Sequence, residues 1–455
     1  MQITVVGGGY VGLVSAICFC EFGFNVQIVE SSPERFKKLK GGVSPVYEAG
    51  LEQSLQKHLA ADLLTISNSV TNLTRESDAI VVAVSTRNSM EEDLNLSALH
   101  KAMKEISFSL SENKYVGIFI KTSVPTGTCS IIANNTKFIR PDLISGKHYD
   151  IIANPGFLRE GTAICDFMNP NGIIIGLESN SKKAKDLVEK VYASLLDAKI
   201  PFLYTNFETA ELVRSTTIGF LATKMAFINE IADLCDRTGA DIDVVIKGIS
   251  LDQGIGPKNL AISPGFGGTS FPKTLRILSN TASSLGIDLK ILNGVIKSNI
   301  ERISNIKNRI VALIEDEAPL SSKKVTILGL SFKPLTNDIK DSASIFVIRD
   351  LLNSEICVHM YDPVFIPDSL EVSKIPTDIL ENKNFFLAES VYDAVNQSDI
   401  AVIMTNWAEF MSLDFNKINE LMNKKPKSNP ILLDYRNMFS KFDLQNFNYI
   451  SQGNK

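Results

Sequence analysis

A chain of 455 residues, 44% of them hydrophobic, has the length for about two to four domains and ample core material. Its 46 Lys and Arg and 51 Asp and Glu are interleaved and sum to a net charge of -5, so a basic stripe tracking a nucleic-acid backbone is missing and no nucleic-acid partner is expected. The six cysteines (Cys18, Cys20, Cys129, Cys165, Cys235, Cys357) are scattered, without a Cys-x-x-Cys pair or a histidine cluster, so neither a metal site nor a disulfide framework is expected and a reducing, cytoplasmic setting fits.

The uncharged stretch Ile3 to Cys20 is as long as a short membrane span. Gly7-Gly8-Gly9 would break a spanning helix, and no basic segment precedes the stretch, so neither a membrane anchor nor a leader is expected. The short β-branched runs Ile3–Val6, Val26–Glu30, Ala79–Val84, Val116–Ile120 and Ile173–Gly176, separated by helical lengths, predict a doubly wound parallel sheet. From Glu208 to Arg237 a long helix is predicted, with Leu212, Phe220, Leu221, Phe227 and Ile231 at helical spacing. A second helical stretch around Asp288–Asp316 follows. Strands at Lys324–Leu330, Cys357–Tyr361, Ile400–Met404 and Ile431–Leu433 then predict a second α/β domain, a distant echo of the first. The expected fold is α/β: two Rossmann-like doubly wound domains joined by a central helical domain with a long connecting helix.

Gly7-Gly8-Gly9-Tyr10-Val11-Gly12 matches G-x-G-x-x-G directly between a strand and a helix predicted from near Val11. Gly7 would make the tight turn, Gly9 would admit a pyrophosphate to the backbone, and Gly12 would let strand and helix pack closely. Glu30 ends the second predicted strand, where a carboxylate accepts from a ribose 2′-hydroxyl and repels a 2′-phosphate. NAD is therefore favoured over NADP. A FAD-binding domain shares the fingerprint and is the rival reading.

Further segments carry a family resemblance along nearly the whole chain. They include Pro45-Val46-Tyr47-Glu48, Lys121-Thr122-Ser123-Val124-Pro125, Asn154-Pro155-Gly156-Phe157-Leu158-Arg159-Glu160-Gly161-Thr162-Ala163 and Phe220-Leu221-Ala222-Thr223-Lys224. To these add Gly267-Gly268-Thr269-Ser270-Phe271-Pro272-Lys273, Gly329-Leu330-Ser331-Phe332-Lys333-Pro334, Tyr361-Asp362-Pro363 and Asp434-Tyr435-Arg436-Asn437. The chain resembles the UDP-glucose/GDP-mannose nucleotide-sugar 6-dehydrogenases. The resemblance implies an NAD domain (1–200), a central helical dimerisation domain (201–305) and a UDP-sugar domain (306–455). It also implies a homodimer, NAD as cofactor, and a UDP-glucose-like substrate oxidised twice at C6, from alcohol to carboxylate.

Carried over position by position, the resemblance implies a catalytic set of Ser270, Arg214, Lys224 and Glu160. The cofactor set is Gly7, Gly9, Tyr10, Val11, Gly12, Glu30, Arg35, Ser85, Thr86, Ser123 and Lys273. The substrate set is Phe157, Leu158, Arg159, Lys224, Gly267, Lys333 and Arg436. Several of the reaction residues are replaced. The family's second oxidation needs a thiolate that becomes a thioester, and its position holds Ser270, whose hydroxyl lacks that reactivity unaided; the following acid is Thr274. The glutamate that serves as hydrolytic base is Gly156. A Lys and Asn pair four residues apart, which stabilises an oxyanion and positions water, is Arg214 and Ile218. The family's Arg-Ile-Gly is Gly254-Ile255-Gly256, and Val-Gly-Thr-Pro beside the cofactor is Val84-Ser85-Thr86-Arg87.

Three readings remain open. The favoured one is an NAD-dependent oxidoreductase on a nucleotide sugar that performs a single two-electron hydride transfer. The others are a non-catalytic NAD or nucleotide-sugar binding homologue, and an ordinary UDP-glucose 6-dehydrogenase with Ser270 in place of the thiol, rescued if Cys165 lies close by.

Overall fold

The computed structural model describes residues 1–69, 76–86, 95–178, 181–316, 318–423 and 429–454. Packing divides the chain into two compact units, Met1–Thr217 with Asn280–Leu285, and Ile218–Ser279 with Gly286–Lys455.

The first unit holds strands β1 (Gln2–Val6), β2 (Asn25–Val29), β3 (Leu64–Ser67), β4 (Ala79–Val82), β5 (Val116–Ile120), β6 (Tyr149–Ala153), β7 (Ile173–Leu177) and β8 (Phe202–Thr205). Its helices are α1 (Tyr10–Glu21), α2 (Pro33–Lys40), α3 (Leu51–Ala60), α4 (Ser97–Ser109), α5 (Thr128–Ile139), α6 (Ala163–Met168), α7 (Lys182–Val191) and α8 (Ala193–Asp197). The strands form one sheet in the order β3-β2-β1-β4-β5-β6-β7-β8. Alternate residues of one strand feed cores on opposite faces: Val81 and Phe119 join α1, α3 and α7, whereas Ile80, Val82, Ile118 and Ile120 join α4 and α5. Burial on both faces explains the runs without alternation that predicted a doubly wound sheet.

One strand departs from the expected direction. β7 pairs antiparallel with β6 through Ile152↔Leu177 and Ala153↔Gly176. A parallel partner requires a crossover to the other end of the sheet. Here the connection holds only the six-residue helix α6, and the chain re-enters from the end it left. The Asn154–Gly161 loop thus stays at the carboxyl ends of the strands, where ligands of such sheets bind.

Helix α9 (Phe207–Thr238) runs across the division between the units, and α10 (Ile242–Ser250), α11 (Phe271–Ser284) and α12 (Lys290–Ile314) follow. The buried face of the later part of α9 differs from the expected one. Phe220 and Phe227 are exposed, while Ala222 and Ala226 pack with Leu275, Leu292 and Val295 of α11 and α12. Small residues allow helices to approach closely, so the contact runs through alanines rather than the larger periodic side chains.

The second sheet comprises β9 (Lys324–Leu328), β10 (Cys357–Tyr361), β11 (Phe385–Leu387), β12 (Ile400–Ile403), β13 (Ile431–Asp434) and β14 (Asn448–Ile450), in the order β11-β10-β9-β12-β13-β14. Helix α13 (Ala343–Leu352) and the latter half of α12 cover one face. The order matches that of the first six strands of the first sheet, which confirms the expected echo. It extends to single atoms: Gly7 N donates to Val29 O and Gly329 N to Tyr361 O, both at 2.8 Å, and both glycines have positive φ, +105° and +100°.

Candidate functional site

The glycine turn follows β1 and leads straight into α1. A Cβ on Gly7 would stand 2.7 Å from Ala83 O, and one on Gly12 only 1.8 Å from Gly7 O, so both positions exclude any side chain. Gly9 differs, because it caps α1 and a Cβ there would meet nothing within 4 Å. A glycine that the protein does not need for packing, facing open space beside a helix N-terminus, is the cradle a pyrophosphate requires.

Glu30 follows β2 and is 2% exposed. Its Oε2 accepts from Gly8 N at 2.9 Å and Arg35 Nε at 3.1 Å, and its Oε1 from Ser32 N at 2.7 Å and Arg35 Nη2 at 3.1 Å. The carboxylate is saturated, so accepting a ribose hydroxyl means exchanging one of the Arg35 bonds. Gly7, Gly9, Glu30, Arg35 and Ser85 line a cleft of about 1370 Å³. Val11 is half-buried in α1, and Thr86 is buried. Arg87 lies outside the described residues.

Beyond β5, Lys121 is buried, donating to Asn154 Oδ1 at 3.0 Å and to the Tyr192 hydroxyl at 3.3 Å beside the Phe167 ring. Burial depresses its ammonium to about 8. Ser123 is half-buried in the loop before α5. That loop is held by Glu211 of α9, whose carboxylate accepts from Gly127 N at 2.6 Å and Cys129 N at 2.8 Å; burial raises its pKa.

The Asn154–Gly161 loop follows β6. Phe157, Leu158 and Glu160 are half-buried. Arg159 is exposed and pairs with Asp166 through Nε at 3.1 Å and Nη2 at 2.5 Å. Arg214 of α9 lies over the Phe157 ring, 5.6 Å from its centroid, with its guanidinium depressed to about 10 by burial. Gly156, Phe157 and Arg214 all lie in the first unit. A Cβ on Gly156 would touch only Leu158 Cγ at 3.8 Å and Lys121 Cε at 3.9 Å, so the backbone leaves room for a side chain. Cys165 is exposed.

In the second unit, Ser270 immediately precedes α11, and its carbonyl accepts from Thr274 N at 3.0 Å. The preceding turn is closely packed. A Cβ on Gly267 would stand 2.3 Å from Asp341 O, and one on Gly268 2.7 Å from the Phe332 ring. Thr269 donates through N and Oγ1 to Asp338 Oδ2, both at 2.8 Å. Gly267 is therefore a packing glycine, buried against backbone. Lys273 is half-buried in the first turn of α11, and Lys224 of α9 donates to Ile255 O at 2.9 Å. Ile218 is buried.

At the carboxyl ends of β9 and β12, where the strand order reverses, Arg436 bonds backbone rather than presenting a free fork. Its Nε donates to Met404 O at 2.8 Å and its Nη2 to Phe332 O at 2.9 Å, and burial depresses it to about 10. It fixes the Gly329–Lys333 loop, with Lys333 Nζ over the Phe332 ring at 5.7 Å. Fully buried Asp362 fixes the same loop, accepting from Leu330 N at 2.8 Å, Ser331 N at 3.0 Å and Trp407 Nε1 at 3.0 Å. The positioning roles of Glu211, Asp338 and Asp362 were not read from the sequence. No local signal marks them: Asp338, for one, sits in the polar run Thr336-Asn337-Asp338. Among the described residues no cluster of His, Cys, Asp and Glu could hold a metal.

Three family models of the UDP-glucose/GDP-mannose dehydrogenases match in order: the NAD binding domain over residues 1–196, the central domain over 208–301 and the UDP binding domain over 326–441. The UDP-glucose 6-dehydrogenase of Rickettsia conorii is 37% identical over 457 residues, covering all of both chains. UDP-glucose 6-dehydrogenase TuaD of Bacillus subtilis is 34% identical over 99% of this chain and 92% of its own. A UDP-glucose dehydrogenase structure from Pyrobaculum islandicum superposes with a TM-score of 0.85 at 26% identity, over 99% of this chain and 96% of that one. With NAD as its cofactor, on the evidence of the matched domain and the glycine cradle, the chain belongs to the UDP-glucose/GDP-mannose dehydrogenase family.

Proposed function

We propose that this protein oxidises a UDP-glucose-like nucleotide sugar by one two-electron step rather than carrying it to the uronate. The observation that carries the reading is the pair of side chains at the family's reaction positions, a hydroxyl at Ser270 and a hydrogen at Gly156. Bound NAD would supply a hydride acceptor. The chain's own residues have to hold the sugar, take the hydroxyl proton and stabilise the oxygen left behind. Arg214 supplies positive charge without releasing a proton near neutrality. Glu160 is the carboxylate assigned to proton transfer. Lys224 and Ser270 are assigned to the substrate oxygen. Loss of a hydrogen-bonding oxyanion donor at Ile218 weakens such a site by on the order of a hundredfold or more.

The proposed organisation is an NAD domain (1–200), a helical dimerisation domain (201–305) and a UDP-sugar domain (306–455). Phe220, Phe227 and Leu234, exposed by 66%, 55% and 54% at intervals of seven residues on α9, support a homodimer. Six free cysteines support a reducing, cytoplasmic setting, and among the described residues no helix is long and apolar enough to cross a membrane.

The test is the stoichiometry of NADH formed per UDP-glucose consumed, repeated over a panel of nucleotide sugars. One supports the proposal and two refutes it. None, with both ligands bound by calorimetry, would favour the non-catalytic reading.

A further inference from the structure

Glu48 belongs to none of the residue sets assigned to the reaction, yet it touches both ligand-facing loops of the first unit. It sits in the connection between α2 and α3 and is only 8% exposed. Its Oε2 accepts from Gly161 N at 2.6 Å and its Oε1 from Ala163 N at 2.8 Å, which holds the end of the Asn154–Gly161 loop at the start of α6. The same Oε2 accepts from the hydroxyl of Tyr10, the residue that follows Gly9 of the glycine turn. Burial, and after it the bond to Glu48, raises the Tyr10 phenol well above its ordinary range, so it stays a donor at any working pH; Glu160 adds to the effect from the loop itself.

We propose that Glu48 is a positioning residue that couples occupancy of the glycine turn to the order of the Asn154–Gly161 loop. The coupling rests on the reading of that turn as the cofactor side and that loop as the sugar side. Each bond is a charge-assisted one, about twice as strong as its neutral counterpart. Together they tie residues 38 and more positions apart in sequence, Tyr10 to Glu48, and 113 and 115 apart, Glu48 to Gly161 and Ala163. A ligand that fixes the Gly9–Tyr10 backbone fixes the phenol, and through the shared carboxylate it restricts the two amides that end the loop.

Amide hydrogen exchange of residues 157–163, with and without saturating NAD, tests this without requiring turnover. Wild type is expected to exchange more slowly there when NAD is bound. In Glu48→Gln the free protein should exchange about tenfold faster or more, since two charge-assisted bonds weaken. Tyr10→Phe leaves both amide bonds to Glu48 intact, so its free-protein exchange should stay near wild type while the NAD-dependent slowing disappears. A Tyr10→Phe protein that binds NAD and keeps the full slowing would overturn the coupling alone. Absence of NAD binding in wild type would overturn the cofactor reading and the coupling together. Unchanged exchange in Glu48→Gln would show that the carboxylate does not hold the loop.

Discussion

The glycine turn separates two demands, chain packing and ligand access, and substitutions at Gly12 and Gly9 should separate them in solution. In Gly12→Ala the new methyl would start 1.8 Å from Gly7 O and 3.0 Å from Gly7 C. Gly7 is itself pinned by its bond to Val29 O and by Ala83 O, 2.7 Å from its own ideal Cβ. Relief to a tolerable 3.0 Å contact requires about 1.2 Å of movement between β1 and α1, whose buried residues Leu13 to Cys20 are set in the core. Overpacking of this kind costs about 1–3 kcal/mol, and at about 2–4 °C per kcal/mol for a unit this size the melting temperature should fall by roughly 2–12 °C. Gly9→Ala meets nothing within 4 Å and sits at φ -80°, which alanine adopts freely, so stability should hold or rise by about 0.4–1 kcal/mol. NAD affinity should nonetheless fall by about tenfold or more, because the methyl occupies the pyrophosphate cradle. Calorimetric NAD binding and thermal unfolding of both variants decide it. Gly9→Ala with wild-type affinity, or Gly12→Ala with wild-type melting, would refute the reasoning.

Other consequences can be checked in parallel. Lys121 has its ammonium depressed from 10.5 to about 8, so the unfolded chain binds more protons between those values and this side chain's contribution to stability rises with pH across that window. Relative to Lys121→Met, wild type should gain up to about 3 kcal/mol from pH 8 to above 10, read from urea melts at each pH; a flat difference would contradict the buried cation. Arg436→Met removes both bonds to Met404 O and Phe332 O, and should destabilise by about 2–4 kcal/mol and weaken UDP binding, whereas unaltered UDP affinity would show that the loop needs no such support. Glu211→Ala frees two amides at the start of α5 and should cost about 1–3 kcal/mol by thermal unfolding, more than Glu211→Gln. The double variant Gly156→Glu with Ser270→Cys, for which the loop has room at residue 156, should raise the NADH formed per sugar above wild type.

Much of the fold could be read from local pattern, because strands buried on both faces leave uninterrupted β-branched runs and β10 falls on its expected bounds, Cys357–Tyr361. β6 was not anticipated, since Asp150 interrupts its apolar run, and that aspartate is tolerated through bonds from Ser145 nearby and from Tyr115 and Ser181, far away in sequence. The direction of β7 and the alanine face of α9 are likewise outcomes of tertiary pairing that spacing alone does not encode. At the site, the glycine turn and Glu30 were legible because their chemistry is local. The saturation of Glu30 by Arg35, the use of Arg436 as a backbone clamp and the double reach of Glu48 depend on where loops meet, and nothing in the neighbouring residues announces them.

The most direct test of the central claim is the mass of the sugar nucleotide produced from UDP-glucose with excess NAD. A product lighter by two hydrogens, with its carbonyl trapped by a hydrazine, is what the proposed single two-electron step predicts from a hydroxyl at Ser270 and no side chain at Gly156. A product that relative to UDP-glucose has lost two hydrogens and gained one oxygen, that oxygen coming from labelled water, is the uronate and would contradict it.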